Sequence, residues 1–144
     1  MTPEFPSVVE YSAEQAKFAG LEVLDIQALQ AAVAEPYKNQ VLLNVNADCL
    51  RMAVFEEEYR WHYHPDSDEL FLVVAGELHI EFYDREEVVL RPWQVLVVPG
   101  GVVHRTRAVG RTVNLTVERQ SGQVEFVEPP PNNSSGSFPS TPGA

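Results

Sequence analysis

The sequence predicts an all-β fold, a sandwich or a barrel, and two observations carry that reading. From residue 41 onward the chain is a succession of short runs rich in Val, Leu, Phe and Tyr: VLLNVN, CLRMAVF, YRWHYH, ELFLVVA, ELHIEFY, EEVVL, VLVV, VVHRTRAV, RTVNLTVE and GQVEFV. Gly, Pro, Asp, Asn or acidic residues separate them, and many strands at close, regular spacing are the mark of sandwiches and barrels. No helical pattern lies between the runs, which argues against parallel βαβ units. At 144 residues the chain fits one domain with one core.

Taken in order, residues 1–10 carry Pro3 and Pro6 and predict an irregular arm or an edge strand. Ser12 and Gln15 have the spacing of a capping box and Gly20 is a stop, so 13–19 reads as a short helix. Asp25 can cap a second helix, in which Ile26, Leu29 and Val33 recur at helical spacing before Pro36 ends it. Within the strand region, ELHIEFY alternates, with Leu78, Ile80 and Phe82 on one face, whereas ELFLVVA is apolar on both faces. A doubly apolar strand needs cover on both sides, from a second sheet or a partner subunit. The expected organisation is an N-terminal arm with short helices (1–40), a β-barrel (41–127) and a tail (128–144). That tail is rich in Pro, Ser, Gly and Asn and too poor in apolar residues to bury itself.

Charge narrows the partners. Twenty-one acids against 10 bases leave a net charge of −11, which repels phosphate backbones and anionic lipid heads, so neither nucleic acid nor membrane is expected. No apolar run approaches the roughly 18 residues of a spanning helix, and the N-terminus has no basic start followed by an apolar stretch. The lone Cys49 suits a reducing compartment, and the expected location is cytoplasmic. Neither a Ser-His-Asp pattern nor a Gly-rich phosphate loop is present.

The chemistry lies in WHYHPDSDE. Alternation on a strand points His62 and His64 to one side and Trp61 and Tyr63 to the other. Pro65-Asp66-Ser67-Asp68 is turn chemistry, and Glu69 opens the next strand. An H-x-H pair alone is more often packing than ligand. A second segment, VLVVPGGVVHRTRAV, places His104 on a strand after a Pro-Gly-Gly turn. If His104 faces the same cavity, three imidazoles and a carboxylate suit a divalent first-row metal with one or two positions left open. His79 sits with Glu77 and Glu81 opposite the apolar face of its strand and reads as solvent-facing. Cys49 reads as a small core residue, Trp93 as packing after Pro92. Arg51 reads as an edge or surface residue, with binding of a substrate carboxylate as the alternative.

These residues resemble the cupin superfamily. Its first motif, G-x5-H-x-H-x(3,4)-E-x6-G, is matched by His62, His64, Glu69 and Gly76; its second, G-x5-P-x-G-x2-H-x3-N, by Pro99, Gly101 and His104. Glu56, Trp93 and Ala108 depart from the motifs at positions that are not metal ligands in the family. The stretch is most similar to small single-domain cupins. The resemblance implies a double-stranded β-helix, or jelly-roll, barrel with a short helical N-terminal arm. It implies one divalent transition metal per chain (Fe, Mn, Ni, Cu, Co or Zn) held by His62, His64, Glu69 and His104, and a homodimer. The function it implies is that of a metal-dependent enzyme, such as a dioxygenase or isomerase, acting on a small polar molecule chelated at the metal; the alternative is a non-catalytic ligand-binding or sensor module. Because imidazoles ligate only when neutral, metal affinity is expected to fall as pH drops through about 6.5.

Overall fold

A computed structural model describes residues 5–131. The expected tail at 128–144 lies, from residue 132 on, outside the described residues. The first helix is α1, Val8–Ala13, not 13–19. The operative capping box is Ser7 with Glu10: the Ser7 hydroxyl accepts from the Glu10 amide and the Glu10 carboxylate accepts from the Ser7 amide. Residues 13–19 fail to coil because hydrogen bonds to a distant segment claim their backbone. The amides of Lys17 and Phe18 donate to the carbonyls of Val41 and Leu42, and the Glu14 carboxylate accepts from the Val41 amide. Helix α2, Ile26–Ala31, starts where the sequence places it, with the Asp25 side chain accepting from the Ala28 amide.

Eight strands follow: β1 Tyr37–Val45, β2 Asp48–Phe55, β3 His62–Tyr63, β4 Glu69–Phe82, β5 Val88–Leu90, β6 Val95–Val98, β7 His104–Arg119 and β8 Glu125–Phe126. All pairings are antiparallel: β1 with β2, β2 with β7, β7 also with β3 and β4, β3 with β8, and β4 with β5 and β6. Two pairs of runs that read as separate strands are continuous. ELFLVVA and ELHIEFY form β4, and VVHRTRAV and RTVNLTVE form most of β7. The breaks the sequence suggested at Gly76 and Gly110 are turns of the backbone within strands, both glycines having positive φ. At Gly76 (φ 84°) the register shifts, and a Cβ there would lie 2.5 Å from the Thr112 hydroxyl and 2.6 Å from the Arg111 carbonyl.

The β4–β7 ribbon runs from Leu70↔Val117 to Phe82↔His104. Drawn straight, the 14 residues of β4 would span roughly 45 Å. Glu69, at its start, nevertheless touches His104, opposite its end. The ribbon therefore coils on itself, giving the jelly-roll barrel. Its inner face carries the main core, including Phe55, Phe71, Val73, Leu78, Ile80 and Phe82. A second core lies on the outer face, where Phe18, Leu24, Ile26, Leu29 and Val33 of the arm pack over Leu42, Met52, Val54, Val74 and Val113. Each fully buried aliphatic side chain there contributes roughly 1.5–3 kcal/mol. The arm thus supplies part of the second-side cover that ELFLVVA demanded.

Three single-residue expectations change. Arg51 is buried, because Cys49, Arg51, Ala53 and Phe55 form the inward face of β2; it ion-pairs with Glu118 (2.8 Å) and Glu14 (3.1 Å). Trp93 is 71% exposed, not packed, since its positive φ (68°) turns the side chain outward while its amide is tied to the Val73 carbonyl. His79 faces outward as expected, but it is mostly covered by ion pairs with Glu77 (2.8 Å) and Glu87 (3.0 Å). Cys49 is a buried free thiol, as read.

Candidate metal centre

Three elements bring the donors together. β3 is short because its role is to seat one histidine between two neighbours: His62 pairs with His104 of β7 on one side and with Phe126 of β8 on the other. The Pro-Asp-Ser-Asp turn then leads to Glu69 at the start of β4. That turn is fastened to the Pro-Gly-Gly turn, whose Gly101 amide donates to the His64 carbonyl (2.8 Å) and whose Gly100 amide donates to the Asp68 carboxylate (2.9 Å). All four side chains are buried, and one donor atom from each of His62, His64, Glu69 and His104 lies within 4.8 Å of the others. Every site residue singled out in the sequence is in the group; His79, read as a bystander, is outside it.

The tautomers are fixed by geometry. Each imidazole places Nδ1 on a backbone carbonyl: His62 on Arg60 (2.7 Å), His64 on Gln123 (3.0 Å) and His104 on Val102 (2.8 Å). A carbonyl oxygen only accepts, so Nδ1 carries the hydrogen in all three and Nε2 is left as the ring's second nitrogen. The His64 Nε2 is buried 3.1 Å from the Glu69 carboxylate, and the His104 Nε2 is 3.3 Å from the same oxygen. Imidazoles anchored through Nδ1 and converging through Nε2 on one carboxylate are the donor set a divalent cation requires.

The electrostatics differ among the rings. Burial, helped by the neighbouring His104, lowers the His62 pKa to about 3, so this ring is neutral. Burial also works to lower His64, but the charges of Glu69 and Glu118 outweigh it and hold its pKa up at about 9. Burial works to raise the pKa of Glu69, yet the histidines around it, His64 foremost, hold it well below the usual carboxylate range. Without a cation, His64 is therefore an imidazolium paired with Glu69.

Sequence reasoning missed the groups behind the site. Glu118 lies 3.6 Å from the His64 Nδ1, accepts from the Tyr11 hydroxyl and holds Arg51. Tyr11, the buried residue of α1, also packs its ring on His64, 5.9 Å between centroids. The signal for Glu118 was present in RTVNLTVE, where Thr112, Asn114, Thr116 and Glu118 recur every second residue. That polar face, not Val113, Leu115 and Val117, is turned into the barrel. Tyr11, distant in sequence from the strands, left no such signal.

Comparison with known proteins agrees with this geometry. Residues 51–117 match the family model described as Cupin domain. The chain is 47% identical over 107 residues to the uncharacterized protein YdbB of Bacillus subtilis (strain 168), an alignment covering 74% of this chain and 95% of that protein. Among solved structures, a cupin-2 domain containing protein from Shewanella frigidimarina NCIMB 400 superimposes with a TM-score of 0.63 at 27% identity, over 67% of this chain and 94% of its own. Protein NMB1881 from Neisseria meningitidis gives a TM-score of 0.62 at 24% identity, over 68% of this chain and 99% of its own, a likeness of fold.

Proposed function

The chain belongs to the cupin superfamily, and from that premise we propose that it is a single-domain, metal-dependent enzyme acting on a small polar molecule. One divalent transition metal per chain would be held by the Nε2 atoms of His62, His64 and His104 and by the Glu69 carboxylate. The observation that carries this reading is the common anchoring of three Nδ1 atoms on main-chain carbonyls, which leaves Nε2 of each ring available in a group whose donor atoms lie within 4.8 Å of one another. When bound, the cation supplies Lewis acidity and a template for a substrate's oxygens.

The protein's own part is to orient and exclude. Four buried donors would hold the cation, and Phe71, 6.0 Å from the His104 ring, would help to exclude water. Glu118 fixes His64 from behind, and β3 holds His62 against His104. Catalysis by a dioxygenase or an isomerase fits such a centre, and fold alone does not choose between them. A non-catalytic binder shares the metal site, and turnover separates the two.

Elemental analysis of protein purified without chelators tests the site, with about one equivalent expected. Replacing His104 with Ala should reduce that content severalfold while the barrel stays folded. A wild-type content well below one per chain defeats the proposal. Oxygen uptake and product formation with diketones, sugars and catechols test the enzyme reading; a ligand recovered unchanged throughout favours the binder. We also propose a homodimer, supported by the exposed valines of β6, and a cytoplasmic location, supported by the free Cys49 thiol.

A further inference from the structure

Beside the metal centre the barrel encloses a cavity of about 40 Å³, room for roughly three water-sized groups. His62 and Glu69 form one wall, and Tyr37, Tyr59, Thr106, Asn114 and Thr116 are among the residues that line the rest. Three of its polar side chains have unspent groups. Asn114 is only 2% exposed, yet among the described residues its Oδ1 has no hydrogen-bond partner, and neither do the buried hydroxyls of Tyr37 and Tyr59. A buried polar atom left unpaired costs about 1–3 kcal/mol, so several sharing one cavity signal a missing partner. The tyrosine rings are nearly parallel, 5.9 Å apart, and Phe5 of the arm packs edge-on against both at 4.9 Å. Their hydroxyls are therefore held in place.

The charges at the cavity decide what that partner is. Among the described residues no Lys or Arg lines it, and the formal charge in its lining is the Glu69 carboxylate. Arg51, the buried cation of the adjacent strand, is taken up by Glu118, Glu14, Asn39 and the Tyr11 carbonyl. A carboxylate placed away from the metal would meet no counter-charge, whereas a hydroxyl or carboxamide would meet both donors and acceptors.

We infer that this cavity receives the end of the substrate remote from the metal, and that the group it selects is short and uncharged, a hydroxyl or carboxamide and not a second carboxylate. Asn114, Tyr37 and Tyr59 are then specificity-determining residues. The inference rests on the metal reading above. A substrate that chelates through one end would place its other end among these three side chains, and loss of that hydrogen bonding would leave them unpaired again.

Calorimetry on Mn(II)-loaded protein tests it, with the metal content measured on the same sample. Glycerate and lactate share one chelating head and differ by a remote hydroxyl; tartronate replaces that hydroxyl-bearing carbon with a carboxylate. Glycerate should bind about tenfold tighter than lactate, and tighter than tartronate. The preference over lactate should vanish in Asn114→Leu and in the double variant Tyr37→Phe/Tyr59→Phe, with lactate affinity unchanged. The double variant keeps both rings and carries the test should Asn114→Leu fail to fold. Fully loaded protein that binds lactate or tartronate as tightly as glycerate, or does not bind glycerate, overturns the pocket alone. The same holds if the preference survives in the variants. Protein that takes up no Mn(II) overturns the metal reading and the pocket with it.

Discussion

At the residue scale, His64 holds the informative charge. Metal binding must displace its Nε2 proton, because its pKa stands at about 9 in the metal-free protein. Apparent metal affinity should therefore fall about tenfold per pH unit below 9, not only through the region near 6.5 that an ordinary histidine implies. The sign for stability runs the other way. A folded pKa above the unfolded value of about 6.5 contributes stability fully present below 6.5 and lost as pH rises through about 9. Chelator-treated protein should thus lose melting temperature from pH 6.5 to 9 while the metal-loaded form gains on it. Parallel curves would remove His64 from the ligand set. Glu118 makes a separate demand. It is buried between Arg51 and His64, so Glu118→Ala leaves the buried Arg51 guanidinium with Glu14 as its remaining acidic partner and should cost about 1.5–3 kcal/mol in a denaturant titration. Adding Arg51→Met should recover part of that loss, because it removes a buried charge left with one acidic partner in place of two; a double variant no more stable than the single one would contradict this account.

At the scale of elements, the β4–β7 ribbon is the device that makes a site, since its coiling brings Glu69 to His104. Gly76 is where the ribbon shifts register, and any Cβ there would collide with Thr112 and the Arg111 backbone. Gly76→Ala should lower stability by about 2–3 kcal/mol through positive φ and overlap together, read as a fall in denaturation midpoint. A neutral result would mean that the register shift can be abandoned. The same ribbon shows what the sequence could convey. Hydrophobic runs located nearly every strand, and the H-x-H, Glu69 and His104 spacings located the four donors, because period-two alternation and short turns are local properties. Whether Gly76 and Gly110 end strands or bend them is decided by pairing with distant residues, so the runs read as separate. The inward turn of the polar face of β7 was not legible for a related reason. Alternation gives two faces, but which one turns inward depends on the arm, which supplies an apolar cover for Val113 and Leu115 on the outside. The helix at 13–19 failed likewise, its amides being claimed by β1, a segment many residues away.

At the scale of the whole molecule, the arm covers only part of the outer sheet face. Leu70, Val97 and Val117 are paired across β4, β6 and β7, as are Leu72, Val95 and Leu115, and antiparallel partners share a face. Beyond the arm's cover this face ends in Val95, 57% exposed, and Val97, 48% exposed. Contiguous apolar surface of this kind is uncommon on a lone monomer, and two copies meeting through one patch about a twofold axis bury it reciprocally. The net charge of −11 opposes close approach of two copies, so such a dimer must be held by apolar contact and should tighten with added salt. Light scattering on eluting protein should accordingly give twice the chain mass, shifting to the chain mass in Val95→Glu/Val97→Glu. Both side chains point away from the group of His62, His64, Glu69 and His104, on the face opposite Leu96 and Val98, so that variant should have the same metal content as the wild type. A monomeric wild type at micromolar concentration would leave the valines as plain exposed surface and end the homodimer reading, without touching the site inside the barrel.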